Sequence, residues 1–191
     1  MVELFNNRYK IKSSRLKHWD YSSCGGYYIT ICTKDRKCFF GDIVNGKMVL
    51  SNMGEIAHKY WNELPKHFDN VSLDEYVVMP NHIHGIVVID FEYNYATRRD
   101  AINRVSTIGG FAKCKNPMII RSLSTYIRWF KGRCSYEINK SMKNSHFQWQ
   151  SRFYEHIIRN DSDLNRIREY IMNNPLQWEF DNEDPTHINF I

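Results

Sequence analysis

The 191-residue sequence predicts an α+β fold, a ferredoxin-like antiparallel sheet with helices packed on it. Three observations predict it. Runs of strand character come in neighbouring pairs, and runs of helical periodicity separate those pairs. The order along the chain is strand, hairpin, helix, strand, strand, helix, strand, helix. The run Tyr76 to Asp90, YVVMPNHIHGIVVID, is aliphatic on both faces and broken only at Pro80-Asn81, which places this strand pair at the centre of the sheet.

Residues 1–20 form a basic arm with Arg8, Lys10, Lys12, Arg15 and Lys17, either a phosphate-binding arm or a frayed terminus. After Gly25-Gly26, YYITICT (27–33) is β-branched and aromatic and reads as a core strand. In FFGDIVNGKMVLS (39–51), Asn45-Gly46 between two short apolar runs signals a hairpin with a type I′ turn. A helix over 52–68 follows, with Asn52 and Glu55 in a capping-box-like start. Its stripe is Met53, Ile56, Ala57, Tyr60, Trp61 and Leu64.

Residues 92–120 break the composition with Gly109-Gly110, Pro117 and a surplus of cations that includes Arg98, Arg99 and Arg104. This is a basic loop or insertion, open between gripping nucleic acid and plain disorder. A second helix spans 122–142, capped by Ser122, with a stripe of Leu123, Ile127, Phe130, Cys134 and Ile138. A strand starts near Phe153. A third helix runs from Asp163 to about Asn173, capped by Ser162 and ended by Pro175.

The bulk numbers suit one domain over 1–191, with 42% hydrophobic residues. No run of about 18 apolar residues is present, and the first residues lack an apolar signal core, so neither a membrane span nor a secretory signal is expected. The five cysteines form no Cys-x-x-Cys pair, which argues for reduced thiols and against a thiolate zinc site. A net charge of +5 with 15% aromatic residues suits nucleic acid with unpaired, stackable bases, and is also an ordinary surface charge.

The chemistry concentrates in two places. On the second strand of the central pair, His82, His84, Ile86 and Val88 share one face, and Ile83, Gly85, Val87 and Ile89 the other. Two imidazoles at this spacing can reach one metal ion, or they are two satisfied core histidines. Burying both without a partner is costly, which favours the ligand reading. Gly85 is read as leaving room for a ligand to come close. On the third helix, Leu164, Ile167 and Ile171 form the buried stripe, and Tyr170 and Asn174 lie beside it about 40° apart. They are either a phenol and an amide presented together, or a boundary tyrosine and a C-cap before Pro175.

Both motifs resemble those of a known family. His82-Ile83-His84 resembles the histidine–hydrophobe–histidine (HUH) motif, and YIMNNP (170–175) resembles the Tyr-Ile-x-x-Asn-Pro signature of the REP-associated tyrosine transposases. DYSSCGGYYITICT (20–33), VVMPNHIHGIVVI (77–89), WFKGRCSYEIN (129–139) and WQSRFYEHIIRN (149–160) are also similar to that family. The resemblance covers about residues 15–180, and the 92–120 loop is longer than it implies.

It implies a prokaryotic, cytoplasmic, nucleoid-associated enzyme acting on single-stranded or hairpin DNA at palindromic repeats, as a monomer or homodimer. It implies Mg²⁺ or Mn²⁺ held by His82, His84 and Asn174, because two imidazoles and an amide oxygen leave room for phosphate oxygens. It implies that Tyr170 attacks phosphorus and forms a 5′-phosphotyrosine, leaving a 3′-OH. DNA contacts are expected from Arg98, Arg99, Arg104, Lys131, Arg133 and Arg159. His156 is open between supporting the site, touching DNA and plain packing. The alternative is a domesticated, non-catalytic DNA-binding module. A small-molecule metallohydrolase is a third reading, but the triple-histidine nucleotide hydrolases need a histidine where Ile86 stands.

Overall fold

The aliphatic run with the two histidines becomes an inner strand, as its lack of polar alternation requires. In the computed structural model, residues 19–90, 121–142 and 146–178 are described, with the backbone of a short ladder between β1 (Leu4–Phe5) and β2 (Arg8–Tyr9). The rest of the expected 1–20 arm, except residues 19–20, lies outside the described residues. So does the 92–120 loop with Arg98, Arg99 and Arg104.

The main sheet is built from β3 (Gly25–Cys32), β6 (Val71–Met79), β7 (His82–Ile89) and β8 (Tyr154–Ile158). Its order is β6-β7-β3-β8, and every pair is antiparallel. Four strands in this order, with helices between β3 and β6 and between β7 and β8, make the ferredoxin-like arrangement the sequence predicts. Pro80-Asn81 forms the tight β6–β7 connection. Its carbonyls are held from outside: Phe40 N donates to Pro80 O at 3.0 Å, and Thr33 N to Asn81 O at 2.9 Å.

The Asn45-Gly46 hairpin joins β4 (Gly41–Val44) to β5 (Lys47–Leu50). Both turn residues have positive φ, 52° and 70°, as a type I′ turn demands. The helix expected at 52–68 is two pieces, α1 (Asn52–Asn62) and α2 (Leu64–His67). Ser51, not Asn52, is its N-cap: the Ser51 hydroxyl accepts from Gly54 N at 3.2 Å. The second long helix, α3 (Leu123–Ser141), matches the expected span and stripe. The last helix, α4 (Asp161–Gln177), starts earlier than expected, because Asn160 Oδ1 caps Asp163 N at 2.8 Å. It also runs through Pro175. Only two helical residues follow the proline, so few bonds beyond the lost donor are at stake.

The sheet separates two cores. On one face Tyr27, Ile29, Ile31, Ile83 and Val87 pack against α1 and α3, with Trp61 and Phe130 fully buried between. On the other face Tyr28 and Ile86 pack against Ile167 and Ile171 of α4. The period-two alternation of β7 thus sends its histidines to the thinner face, under α4.

Gly85 needs a different explanation from ligand access. It belongs to the thicker face, where a Cβ would come within 2.4 Å of Trp61 Cζ2 and 3.0 Å of Tyr76 Cβ. It is glycine because the Trp61 indole lies against the strand. Gly85→Ala is expected to destabilise the fold by about 1–3 kcal/mol through overpacking, read as a lower urea midpoint. An unchanged midpoint would show that Trp61 moves aside freely.

Among the described residues, no helix is long and apolar enough to cross a membrane. None of the described cysteines, Cys24, Cys32, Cys38 and Cys134, is in a disulfide.

Candidate active site

The β3–β7 register sets the site. Cys32 pairs with His82, Thr30 with His84 and Tyr28 with Ile86. His84 therefore has Thr30 beside it and Tyr28 diagonally across on the same face. Its Nδ1 lies 2.7 Å from the Tyr28 hydroxyl and 2.9 Å from the Thr30 hydroxyl. The Tyr28 ring also stacks on the His84 ring, with centroids 5.6 Å apart. His84 is fully buried and His82 is 7% exposed.

The two Nε2 atoms face each other at 2.9 Å. His82 Nδ1 donates to Asn81 Oδ1 at 2.6 Å. That amide is oriented by its other end, since Asn81 Nδ2 donates to Arg36 O at 3.2 Å. His82 therefore carries its proton on Nδ1 and turns the Nε2 lone pair inward. For His84, the Tyr28 and Thr30 hydroxyls can donate or accept, so they satisfy either tautomer. Burial, with Arg36 adding to it, pushes His82 down to about 3. Burial, then the neighbouring His82, holds His84 well below the usual imidazole range. Both rings are neutral at neutral pH, the state in which imidazole ligates metal.

Helix α4 covers this pair. The Tyr170 ring lies 5.3 Å from that of His84, and the Trp178 ring 5.9 Å from that of His82. Asn174 is one turn from each on the same helical stripe, so it falls between them over the pair. It is 2% exposed. His82, His84, Tyr170 and Asn174, drawn from two distant stretches, thus meet at one place.

These residues fit a divalent cation. Two converging neutral imidazole nitrogens and a buried amide make a nitrogen- and oxygen-donor set without thiolate. Among the described residues, no cluster of three or more His, Cys, Asp or Glu could hold a metal, and the buried Asn174 offers an amide oxygen as a further donor.

An ion pair and a histidine–carboxylate hydrogen bond hold α4 to the sheet. Arg168 grips Asp74 of β6 through both carboxylate oxygens, at 2.7 and 2.5 Å. Those Arg168 bonds lower the Asp74 carboxyl. His156 Nε2 meets Asp163 Oδ2 at 2.8 Å. For Asp163, burial pushes upward, but the His156 and Arg166 bonds outweigh it and leave the carboxyl lowered. His156 thus lies on the histidine face and anchors the first turn of α4.

The remaining sequence candidates lie elsewhere. Lys131 and Arg133 are on α3, across the sheet from the histidines. Lys131 Nζ donates to Gln150 O at 2.5 Å, and burial pushes its pKa down to about 8. Arg133 lies over the Tyr60 ring at 5.2 Å. Arg159 is exposed just past the end of β8. Sequence reasoning did not single out Tyr28, Thr30, Asn81 or Arg36. The alternation in YYITICT puts Tyr28 and Thr30 on one face, but nothing local says which strand that face adjoins.

No family model matches the chain. A Haemophilus influenzae protein of undescribed function is 36% identical over 183 residues, covering 89% of this chain and 91% of that protein. A second protein of the same organism, named as a candidate REP-associated tyrosine transposase, is 27% identical over 161 residues, covering 83% of this chain and 74% of that protein. A solved REP-associated tyrosine transposase bound to a REP hairpin shares the fold, with a TM-score of 0.56 over 87% of this chain and 74% of that one at 17% identity. The shared fold, the named relative and the two motifs in their order agree: the chain is similar to the REP-associated tyrosine transposases in sequence and has the fold of one of them.

Proposed function

We propose that this protein is a metal-dependent endonuclease and strand transferase for single-stranded DNA, acting beside palindromic-repeat hairpins through a covalent 5′-phosphotyrosine. The observation that carries this reading is the Tyr170 ring set against His84, one of two neutral imidazoles whose Nε2 atoms converge at 2.9 Å. The relative solved with a REP hairpin supports the choice of DNA.

His82, His84 and Asn174 would hold the divalent ion, Mg²⁺ or Mn²⁺. Bound there, it supplies Lewis-acid polarisation of the scissile phosphate. Tyr170 is the nucleophile. Its Oη loses a proton to solvent and forms a bond to phosphorus, while the bond from phosphorus to the 3′ oxygen breaks and that oxygen takes up a proton. The phosphotyrosine conserves the diester bond, so attack by a 3′-OH reverses the step and joins strands with no other energy source. Asn81 and the Tyr28–Thr30 hydroxyls hold the imidazoles from behind, as outer partners of ligating histidines do. The Arg168–Asp74 and His156–Asp163 pairs keep α4, and so Tyr170, against the sheet.

A denaturing gel tests this directly. With Mg²⁺ or Mn²⁺, labelled single-stranded DNA carrying a palindromic repeat should become attached to the protein, and EDTA should prevent it. Undiminished attachment in EDTA would refute the metal requirement. Binding with no attachment under any metal would leave a non-catalytic DNA-binding module.

A further inference from the structure

A groove of about 1230 Å³ runs along α3 on the face of the sheet away from the histidines, walled by α3 and by residues 146–153. It is larger than the 300–1,000 Å³ typical of a small-molecule pocket, which suits a length of polymer. Arg128, Lys131, Lys140 and Arg152 line it, and among the described residues no acidic one does. Arg128 and Lys140 are exposed and stand about 18 Å apart along the helix, at 1.5 Å per residue. Tyr136, 60% exposed, offers an aromatic ring between them. Cations with an exposed aromatic are the pairing that takes phosphates and unpaired bases together.

The groove also connects to the site. Gln150 N donates to Cys32 O at 2.9 Å, and Cys32 is the register partner of His82. The segment continues into β8, where Tyr154 stands on the histidine face with its ring 6.2 Å from that of Tyr28. The groove and the paired histidines therefore share one end of the sheet, on opposite faces.

We propose that this groove holds single-stranded DNA flanking the hairpin, as a second binding surface reached around residues 150–153. The proposal rests on the DNA-cleaving reading above and adds a surface to it. Lys131 is tied to backbone carbonyls, so the exposed Arg128 and Lys140 carry the mobile charge.

The test compares a palindromic-repeat hairpin with the same hairpin bearing a single-stranded extension. Wild type should bind the extended DNA more tightly. The double variant Arg128→Gln/Lys140→Gln should lose that gain. Its log–log salt slope on the extended DNA should shrink by about 1.4, two charges at about 0.7 each. Lys66→Gln, on α2, should leave the slope as it is, and thermal melting should show all three proteins equally folded. An extension that adds nothing for wild type, or a double variant that gains as much as wild type, overturns the groove. Failure of wild type to bind either DNA would instead overturn the underlying function.

Discussion

Tyr170→Phe is expected to abolish covalent attachment to single-stranded DNA while leaving the fold and DNA binding in place. The substitution removes one oxygen. The ring stays against His84 and Tyr28, with centroids at 5.3 and 6.4 Å, so stability should change by less than about 1 kcal/mol. Loss of the nucleophile in a covalent mechanism costs on the order of 10⁶ in rate, which reads as no adduct on a denaturing gel. The discriminating control is Tyr28→Phe. Among the 12 tyrosines, the Tyr28 hydroxyl lies 2.7 Å from His84 Nδ1, which makes it the rival by distance. Yet Tyr28 is fully buried, and burial pushes its phenol well above the ordinary range. It can hold His84 but not meet a phosphate. Tyr28→Phe should therefore still form the adduct, as should Tyr136→Phe and Tyr154→Phe. Wild-type attachment by Tyr170→Phe would assign the chemistry to another tyrosine.

His84→Ala should lower cleavage by more than about 10²-fold and weaken Mn²⁺ binding, with DNA affinity largely kept because phosphate contacts supply it. It should also destabilise the protein. His84 is fully buried, and its loss leaves the Tyr28 and Thr30 hydroxyls without the ring nitrogen they bond, a cost of about 1–3 kcal/mol. Calorimetric titration with Mn²⁺ separates the two effects on protein shown by melting to be folded. Cleavage at the wild-type rate, or unchanged Mn²⁺ affinity, would remove His84 from the site. His82→Ala should show the same loss of cleavage with a smaller stability change, since its Nδ1 partner Asn81 also bonds Arg36 O.

Much of this architecture is legible in the amino-acid order alone. The Asn45-Gly46 turn, the stripe of α3 and the inner position of β7 all follow from local rules. A turn needs positive φ at two residues, a helix buries every third or fourth residue, and a strand apolar on both faces must be covered on both. Local rules fail where a residue's purpose lies across the fold. Gly85 reads as room for a ligand and is room for Trp61, 24 positions away in sequence. Pro175 reads as a helix end and is passed by α4. That helix, expected to end near Asn173, is a 17-residue element tied to the sheet by Arg168–Asp74 and His156–Asp163. Lys131, an expected DNA contact, also has a structural role that no local rule shows, donating to the backbone carbonyls of Gln150 and Arg152.

The sequence by itself determined which side chains share a face. Alternation along β7 put His82 and His84 together, and the helical period put Tyr170 beside Asn174, because both spacings are properties of the backbone alone. Only the tertiary structure decided that these two faces meet. It also chose Tyr28, Thr30 and Asn81 as the groups that hold the imidazoles. Strand order and register are settled by packing summed over the whole core, between residues as far apart as Tyr28 and His84, and no local stretch carries that sum.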